Sequence, residues 1–208
     1  MKLATKKVLL HDMKSIETLA RVDVLCVDKT GTITEPDMKV EDVFLCKCAN
    51  SSIDYSDFEK LLFSYALASK DNNATMQALK EYANKKGIKG AVGVPVKVLP
   101  FSSSLKYGSI TFEEGCYILG APEIILKDNF ISFENEILAY TEKGSRVLLF
   151  AKYDGSDIED GINGNVTPIG FIAFENPIRE NAVDTFNYFK SQGVDIKVIS
   201  GDNPLTVS

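Results

Sequence analysis

Hydrophobic positions along this chain follow two different periods. Near the start, "VDVLCV" (residues 22–27) is a nearly continuous apolar run that ends at Asp28, and it predicts a buried strand. Near the end, "GFIAF" (170–174) predicts a second strand and "PIRENAVDTFNYFKSQG" (177–193) a helix. Ala182, Val183, Phe186 and Phe189 fall on one face of that helix, and Gly193 supplies its stop. "VDIKVIS" (194–200) then predicts another buried strand, running into "GDNP". Strand, helix, strand with polar loops after the strands is the order of an open α/β sheet, in which ligands bind beyond the carboxyl ends of the strands.

The middle of the chain has a different rhythm. Two helical stretches, "SDFEKLLFSYALAS" (56–69) and "ATMQALKEYANKKG" (74–87), are followed by "VPVKVLPFSS", "YGSITFEE", "CYILG" and "RVLLFAKY". These last four are short, and polar or Gly-containing turns separate them, as in an antiparallel sheet. The polar "DGSDIEDGINGNVTP" (154–168) reads as a surface loop returning to the first domain. The pattern therefore predicts one domain from both chain ends, residues 1–37 and 164–208, with an α+β domain inserted at 38–163.

Composition narrows the class without identifying it. The 208 residues are 45% hydrophobic and 25% charged, as in an ordinary globular protein with room for a core. The apolar runs fall far short of the roughly 18 residues that span a bilayer, and charges interrupt the N-terminal segment where a signal peptide would be apolar. A formal net charge of −6 with no basic stripe argues against nucleic acid as a partner. Cys26 and Cys116 read as small buried hydrophobes. Cys46 and Cys48 form a Cys-Lys-Cys, but His11 is the one histidine and no second cysteine pair stands at zinc spacing. Free thiols in a reducing compartment are the simpler reading.

The chemistry concentrates at "CVDKTGTIT" (26–34). An acid at the end of a strand commonly caps a turn. Here it is followed by Thr30, Gly31 and Thr32, which offer backbone N–H groups and hydroxyls on a chain that glycine lets curl around an anion. A carboxylate presented to a phosphate-sized nest is what covalent phosphoryl transfer requires.

"DKTGTIT" resembles the phosphorylation motif of P-type ATPases, and the resemblance runs the length of the chain. "LPFSSSLKYGSITF" is similar to the nucleotide-domain segment with an adenine-stacking Phe and a Lys near the phosphates. "LGAPEIIL" resembles the KGAPE stretch, "GSRVLLFA" the arginine stretch and "VISGDNPLTVS" the TGDN segment. The best match is to bacterial cation pumps of the calcium-pump-like type. The resemblance implies a haloacid-dehalogenase-like (Rossmann-type) α/β phosphorylation domain, here incomplete, with an inserted α+β nucleotide-binding domain built on an antiparallel sheet. It also implies ATP and Mg2+ as cofactors. The transmembrane and actuator domains of a parent chain would be partners, with the transported cation bound elsewhere. The place implied is the cytoplasmic side of an integral plasma-membrane protein, this segment itself being soluble.

Carried onto this sequence, the resemblance makes Asp28 the phosphorylated nucleophile, with Lys29 holding the loop and Thr30 giving a magnesium-binding carbonyl and a phosphate contact. Asp28 and Thr30 would be the metal ligands. Phe101 would stack on adenine, Lys106 and Arg146 would meet the phosphates, and Gly120 would permit close approach of the nucleotide. Ser200, Gly201 and Asp202 would contact the transferring phosphate region and the nucleotide, and Arg179 in "NPIR" would bridge the hinge. Each has a plainer alternative: a core Phe, solvated surface cations, a Gly-Ala-Pro turn, a helix-capping Asp.

Four positions depart from the family pattern. Leu119 replaces the Lys of KGAPE, Ser200 the Thr of TGD and Asn176 the usual Asp before Pro, while Met76 stands where an acid often lies near adenine. Fewer contacts predict weak nucleotide affinity. The second magnesium aspartate of the family follows TGDN and is not in these 208 residues, which predicts inefficient ATP turnover by this segment alone.

Two other classes share parts of the pattern. A soluble haloacid-dehalogenase-type phosphatase with a cap domain would use the same nucleophile, but such enzymes place a general acid-base Asp where this chain has Thr30. A non-catalytic nucleotide-binding module is the third possibility. Apolar segments of about 20 residues flanking the parent reading frame would mark a pump.

Overall fold

The computed structural model describes residues 12, 14–35, 37–47, 53–87, 93–155, 158–159 and 161–199, with backbone alone at 15, 16, 19 and 30. The chain divides into two compact units. One runs to Thr34 and resumes at Ile178; the other is Glu35–Pro177, inserted between those two segments.

The first unit contains helix α1 (Lys14–Leu19), strand β1 (Val24–Asp28), a π-helical turn over Lys29–Ile33, and, after the insertion, helix α6 (Ala182–Ser191) and strand β8 (Asp195–Ile199). β1 and β8 pair in parallel from Val24↔Asp195 to Asp28↔Ile199. A parallel pair needs a crossover, and α6 is the last element of that crossover before β8. α6 begins later than "PIR" suggests, at Ala182, whose N–H bonds the Arg179 carbonyl.

The second unit is an antiparallel sheet in the order β2-β7-β6-β5-β4-β3. Its strands are β2 (Lys39–Leu45), β3 (Lys97–Leu99), β4 (Tyr107–Phe112), β5 (Gly115–Gly120), β6 (Arg146–Asp154) and β7 (Asn165–Glu175). One face packs on helices α2 (Tyr55–Ala68) and α3 (Ala74–Lys86) through Phe58, Leu62, Leu79, Phe150 and Ile172. The other carries α4 (Pro122–Leu126) and α5 (Glu134–Thr141) over Ile118, Leu149 and Phe171. Burial on both faces explains why the central strands are nearly continuous apolar runs. The helix starts follow local chemistry: Asp54 accepts the Asp57 N–H at 2.8 Å and Asn73 the Met76 N–H at 3.0 Å, each satisfying a donor that a helix leaves unpaired.

Several sequence expectations change here. "GFIAF" does not belong to the first unit. It is the centre of β7, paired to both β2 and β6, so the expected return at residue 164 falls at Pro177–Ile178 instead. The expected loop at 154–168 is shorter for the same reason, because β7 starts at Asn165. And β1 and β8 are not buried runs: exposure alternates along β1, leaving Val24 and Cys26 exposed, while Val198 and Ile199 are both exposed at the end of β8, Ile199 being 61% accessible. Cys116 is half-buried, and Val183, expected on the covered face of α6, is exposed. Cys48 and His11 lie outside the described residues.

Candidate functional site

Asp28 is the last residue of β1, and its extended backbone (φ −73°, ψ 144°) hands the chain directly to the π-helical turn. The turn closes through the Thr34 N–H to the Lys29 carbonyl at 3.2 Å, a five-residue span wider than an α turn. Gly31 makes that path possible at φ +75°, where no neighbouring atom stands within 4 Å of the position a Cβ would take. Asp28 is exposed, and its side chain makes no capping hydrogen bond to this turn. The capping alternative for Asp28 is therefore not used, and its carboxylate remains presented beyond the carboxyl end of a parallel strand.

Two residues hold the turn in shape. Thr34, only 2% exposed, accepts the Gly31 N–H on Oγ1 at 3.2 Å and donates to the Lys29 carbonyl at 3.4 Å. Arg179 donates from Nη2 to the Gly31 carbonyl at 2.8 Å, from Nε to the Thr34 carbonyl at 3.1 Å, and from its backbone N–H to Ile33 at 3.0 Å. The guanidinium therefore bonds two carbonyls of the Asp28 turn. Nothing local in the sequence marks Thr34 for this role; it is the burial of its hydroxyl in the fold that demands the two partners it finds.

The second unit brings three of the candidate nucleotide residues together at one end of its sheet. Phe101 follows β3, half-buried, and its N–H bonds Asp71 Oδ2 at 3.1 Å. Lys106 precedes β4 with φ +63°, a left-handed conformation uncommon outside glycine; its N–H bonds the Ser102 carbonyl at 2.7 Å and its carbonyl accepts from Ala121 at 3.0 Å. Gly120 ends β5 opposite Tyr107. A Cβ there would stand 2.4 Å from Tyr107 Cβ and 2.5 Å from the Lys106 carbonyl oxygen. The close approach of β5 to the Lys106–Tyr107 backbone thus leaves no space for a side chain at this position. Arg146 is exposed at the start of β6, two strands from β4. It follows Ser145, a buried hydroxyl that donates to Glu41 Oε2 at 2.5 Å.

Met76 is buried among the core residues of α2 and α3, which accounts for an apolar residue where the family pattern has an acid. Leu119 is likewise buried in that core, on β5. Ser200, Gly201 and Asp202 lie outside the described residues. Oxygen donors of the kind magnesium prefers are present at Asp28 and the Thr30 carbonyl. Among the described residues no group of three or more His, Cys, Asp or Glu side chains is placed to hold a metal alone. Among the described residues no helix is long and apolar enough to cross a membrane.

No family model matches the chain. It is 41% identical over its full length to a probable cation-transporting ATPase, exp7, of Streptococcus pneumoniae, covering 26% of that protein. It is 36% identical over 99% of its length to the calcium-transporting ATPase CtpE of Mycolicibacterium smegmatis, covering 25% of it. The chain thus spans about a quarter of the length of the curated relatives it matches. Its fold resembles the catalytic domain of the CPx-ATPase CopB-B with a TM-score of 0.63 at 18% identity, covering 99% of this chain and 65% of that one. The likeness to these relatives along the entire chain identifies it as a fragment of a P-type ATPase.

Proposed function

We propose that the chain binds magnesium-ATP and accepts the γ-phosphoryl group on Asp28, as the energy-converting segment of a pump that moves a cation across a membrane. The observation that carries this reading is the exposed Asp28 carboxylate. It stands at the end of β1, uncommitted to capping, before a turn whose carbonyls are held by Arg179 and Thr34. The first unit is then the haloacid-dehalogenase-like phosphorylation domain and the second the nucleotide-binding domain.

In the reaction a carboxylate oxygen of Asp28 forms a bond to the γ-phosphorus while the bond from that phosphorus to the β,γ-bridging oxygen breaks, leaving ADP. Positioning and charge neutralisation supply most of the rate in such transfers. Lys29 and Thr30 line the acceptor loop, Lys106 and Arg146 offset phosphate charge, and Phe101 offers its ring to adenine. Asp28 and the Thr30 carbonyl would hold Mg2+, which neutralises charge on the phosphate oxygens when bound. Thr30 has no titratable group to activate water, which favours an aspartyl-phosphate that persists.

Titration of the chain with ATP tests the binding half of this reading. Amide resonances around Phe101 and Lys106 should shift, with weak affinity because Leu119 and Met76 remove contacts. Shifts confined to other surfaces would contradict it, and sub-micromolar affinity would overturn the expectation of weak binding.

A further inference from the structure

Phe101 does not hold itself in place. Its backbone N–H is bound by the carboxylate of Asp71, which lies 30 residues earlier in the loop between α2 and α3. Asp71 is fixed in turn. Its own N–H donates to Ser69 Oγ at 3.1 Å, and that hydroxyl donates to the same Asp71 Oδ2 at 3.3 Å. Ser69 is buried, and its carbonyl accepts from Lys80 Nζ of α3 at 3.3 Å. On the other side, the Phe101 backbone lies against Gly108, where a Cβ would come within 3.0 Å of the Phe101 nitrogen. Phe101 is therefore gripped between a carboxylate carried by the helical layer and the first residues of β4.

We infer that Asp71 is a positioning residue for base binding: it orders the Phe101 platform before nucleotide arrives, and it acts on the base rather than on the phosphates. This rests on the reading of Phe101 as the adenine platform. A hydrogen bond to an ionised acceptor is about twice as strong as a neutral one. Ordering a side chain before binding removes a cost otherwise charged against affinity. The placement also makes electrostatic sense. A carboxylate beside the triphosphate would repel it, whereas Lys106 and Arg146 offer cations elsewhere at the same end of the sheet. Asp71 thus marks the base end of the site.

The test measures binding of ATP and of inorganic tripolyphosphate, which has no base, to the wild-type chain and to Asp71→Ala, Asp71→Asn, Phe101→Ala and the Asp71→Ala/Phe101→Ala double variant. Asp71→Ala should weaken ATP by about fivefold or more, a loss of about 1 kcal/mol by the affinity relation, while leaving tripolyphosphate unchanged. Asp71→Asn, which keeps an acceptor oxygen, should restore most of the ATP affinity. In the Phe101→Ala background Asp71→Ala should add nothing, because coupled residues are not additive. Should Asp71→Ala fail to fold, Ser69→Ala, which removes the tether on the same carboxylate, decides by the same two ligands. Equal loss of ATP and tripolyphosphate, full ATP affinity in Asp71→Ala, or additive losses would overturn the inference. If Phe101→Ala itself leaves ATP binding intact, the platform reading fails and takes this inference with it. If Phe101→Ala weakens ATP while Asp71→Ala does not, only the inference fails.

Discussion

The guanidinium of Arg179 reaches across 148 positions of sequence to donate to the carbonyl of Gly31 at 2.8 Å. With its second bond, to the Thr34 carbonyl at 3.1 Å, it ties both sides of the turn that follows Asp28. The charged donor is half-buried, so its bonds carry more than surface ion pairs do. Arg179→Ala should therefore loosen the turn by about 1–3 kcal/mol of local stability. Amide hydrogen exchange at Gly31 and Thr34 reads this directly. Arg179→Lys should recover only part of it, because a single ammonium cannot reproduce the fork. Unchanged exchange in Arg179→Ala would show that Thr34 alone holds the turn.

Gly120 is a packing requirement. Adding one methyl at a position 2.4 Å from Tyr107 Cβ and 2.5 Å from a carbonyl oxygen forces β5 away from the Lys106 turn. Gly120→Ala should destabilise the second unit by about 1–3 kcal/mol, the usual range for overpacking a filled core. Chemical denaturation followed by far-ultraviolet circular dichroism would measure it. A neutral result would mean the strands relax at no cost.

Lys106 separates stability from binding. Its φ of +63° is a conformation that costs a side-chain-bearing residue about 1–2 kcal/mol and glycine almost nothing. Lys106→Gly should leave the fold as stable or slightly more so, yet weaken ATP binding by removing a cation. Lys106→Ala should weaken binding equally while keeping the backbone cost. Strained residues held in place by their surroundings are frequent at functional sites. If Lys106→Gly binds ATP as well as the wild type, the residue has no part in holding phosphate.

Tyr140 gives the second unit an alkaline signature. Its hydroxyl donates to Asp42 Oδ2 at 2.5 Å, and that bond, with burial and the nearby Asp42 and Glu41 charges, pushes the phenol from 10.0 up to about 12. The fold favours the neutral phenol, so this contribution is fully present below about pH 10 and is lost as pH rises toward about 12. Tyr140→Phe should be less stable at neutral pH and should show a flatter decline across that window. Urea unfolding midpoints across the alkaline range check this. Parallel curves for the two proteins would remove Tyr140 as the source.

Much of this was legible in the sequence because the signals are local. Two of the second unit's helices, α2 and α3, four of its strands and the strand that ends at Asp28 follow from periodicity and turn residues, whereas the short α4 and α5 do not. β2 is not legible in the sequence because Glu41 and Asp42 interrupt its alternation where the register shifts between Val40 and Asp42. The apolar run of β7 predicts a strand but not its unit, since such a run does not say which neighbour it will pair with. The supports of the site were illegible for a similar reason. Arg179 with Gly31 and Asp71 with Phe101 are contacts between distant segments, made by side chains whose types alone fit any surface.

Asp28 as the phosphoryl acceptor is the central proposal. The most direct measurement incubates the full-length protein in membranes with γ-labelled ATP, Mg2+ and candidate transported cations, quenches with acid, and maps the label. The expected label survives acid, is released by hydroxylamine as an acyl phosphate must be, maps to the peptide containing Asp28, and disappears in Asp28→Asn. An acid-stable label that persists in Asp28→Asn, or maps to another residue, would contradict it.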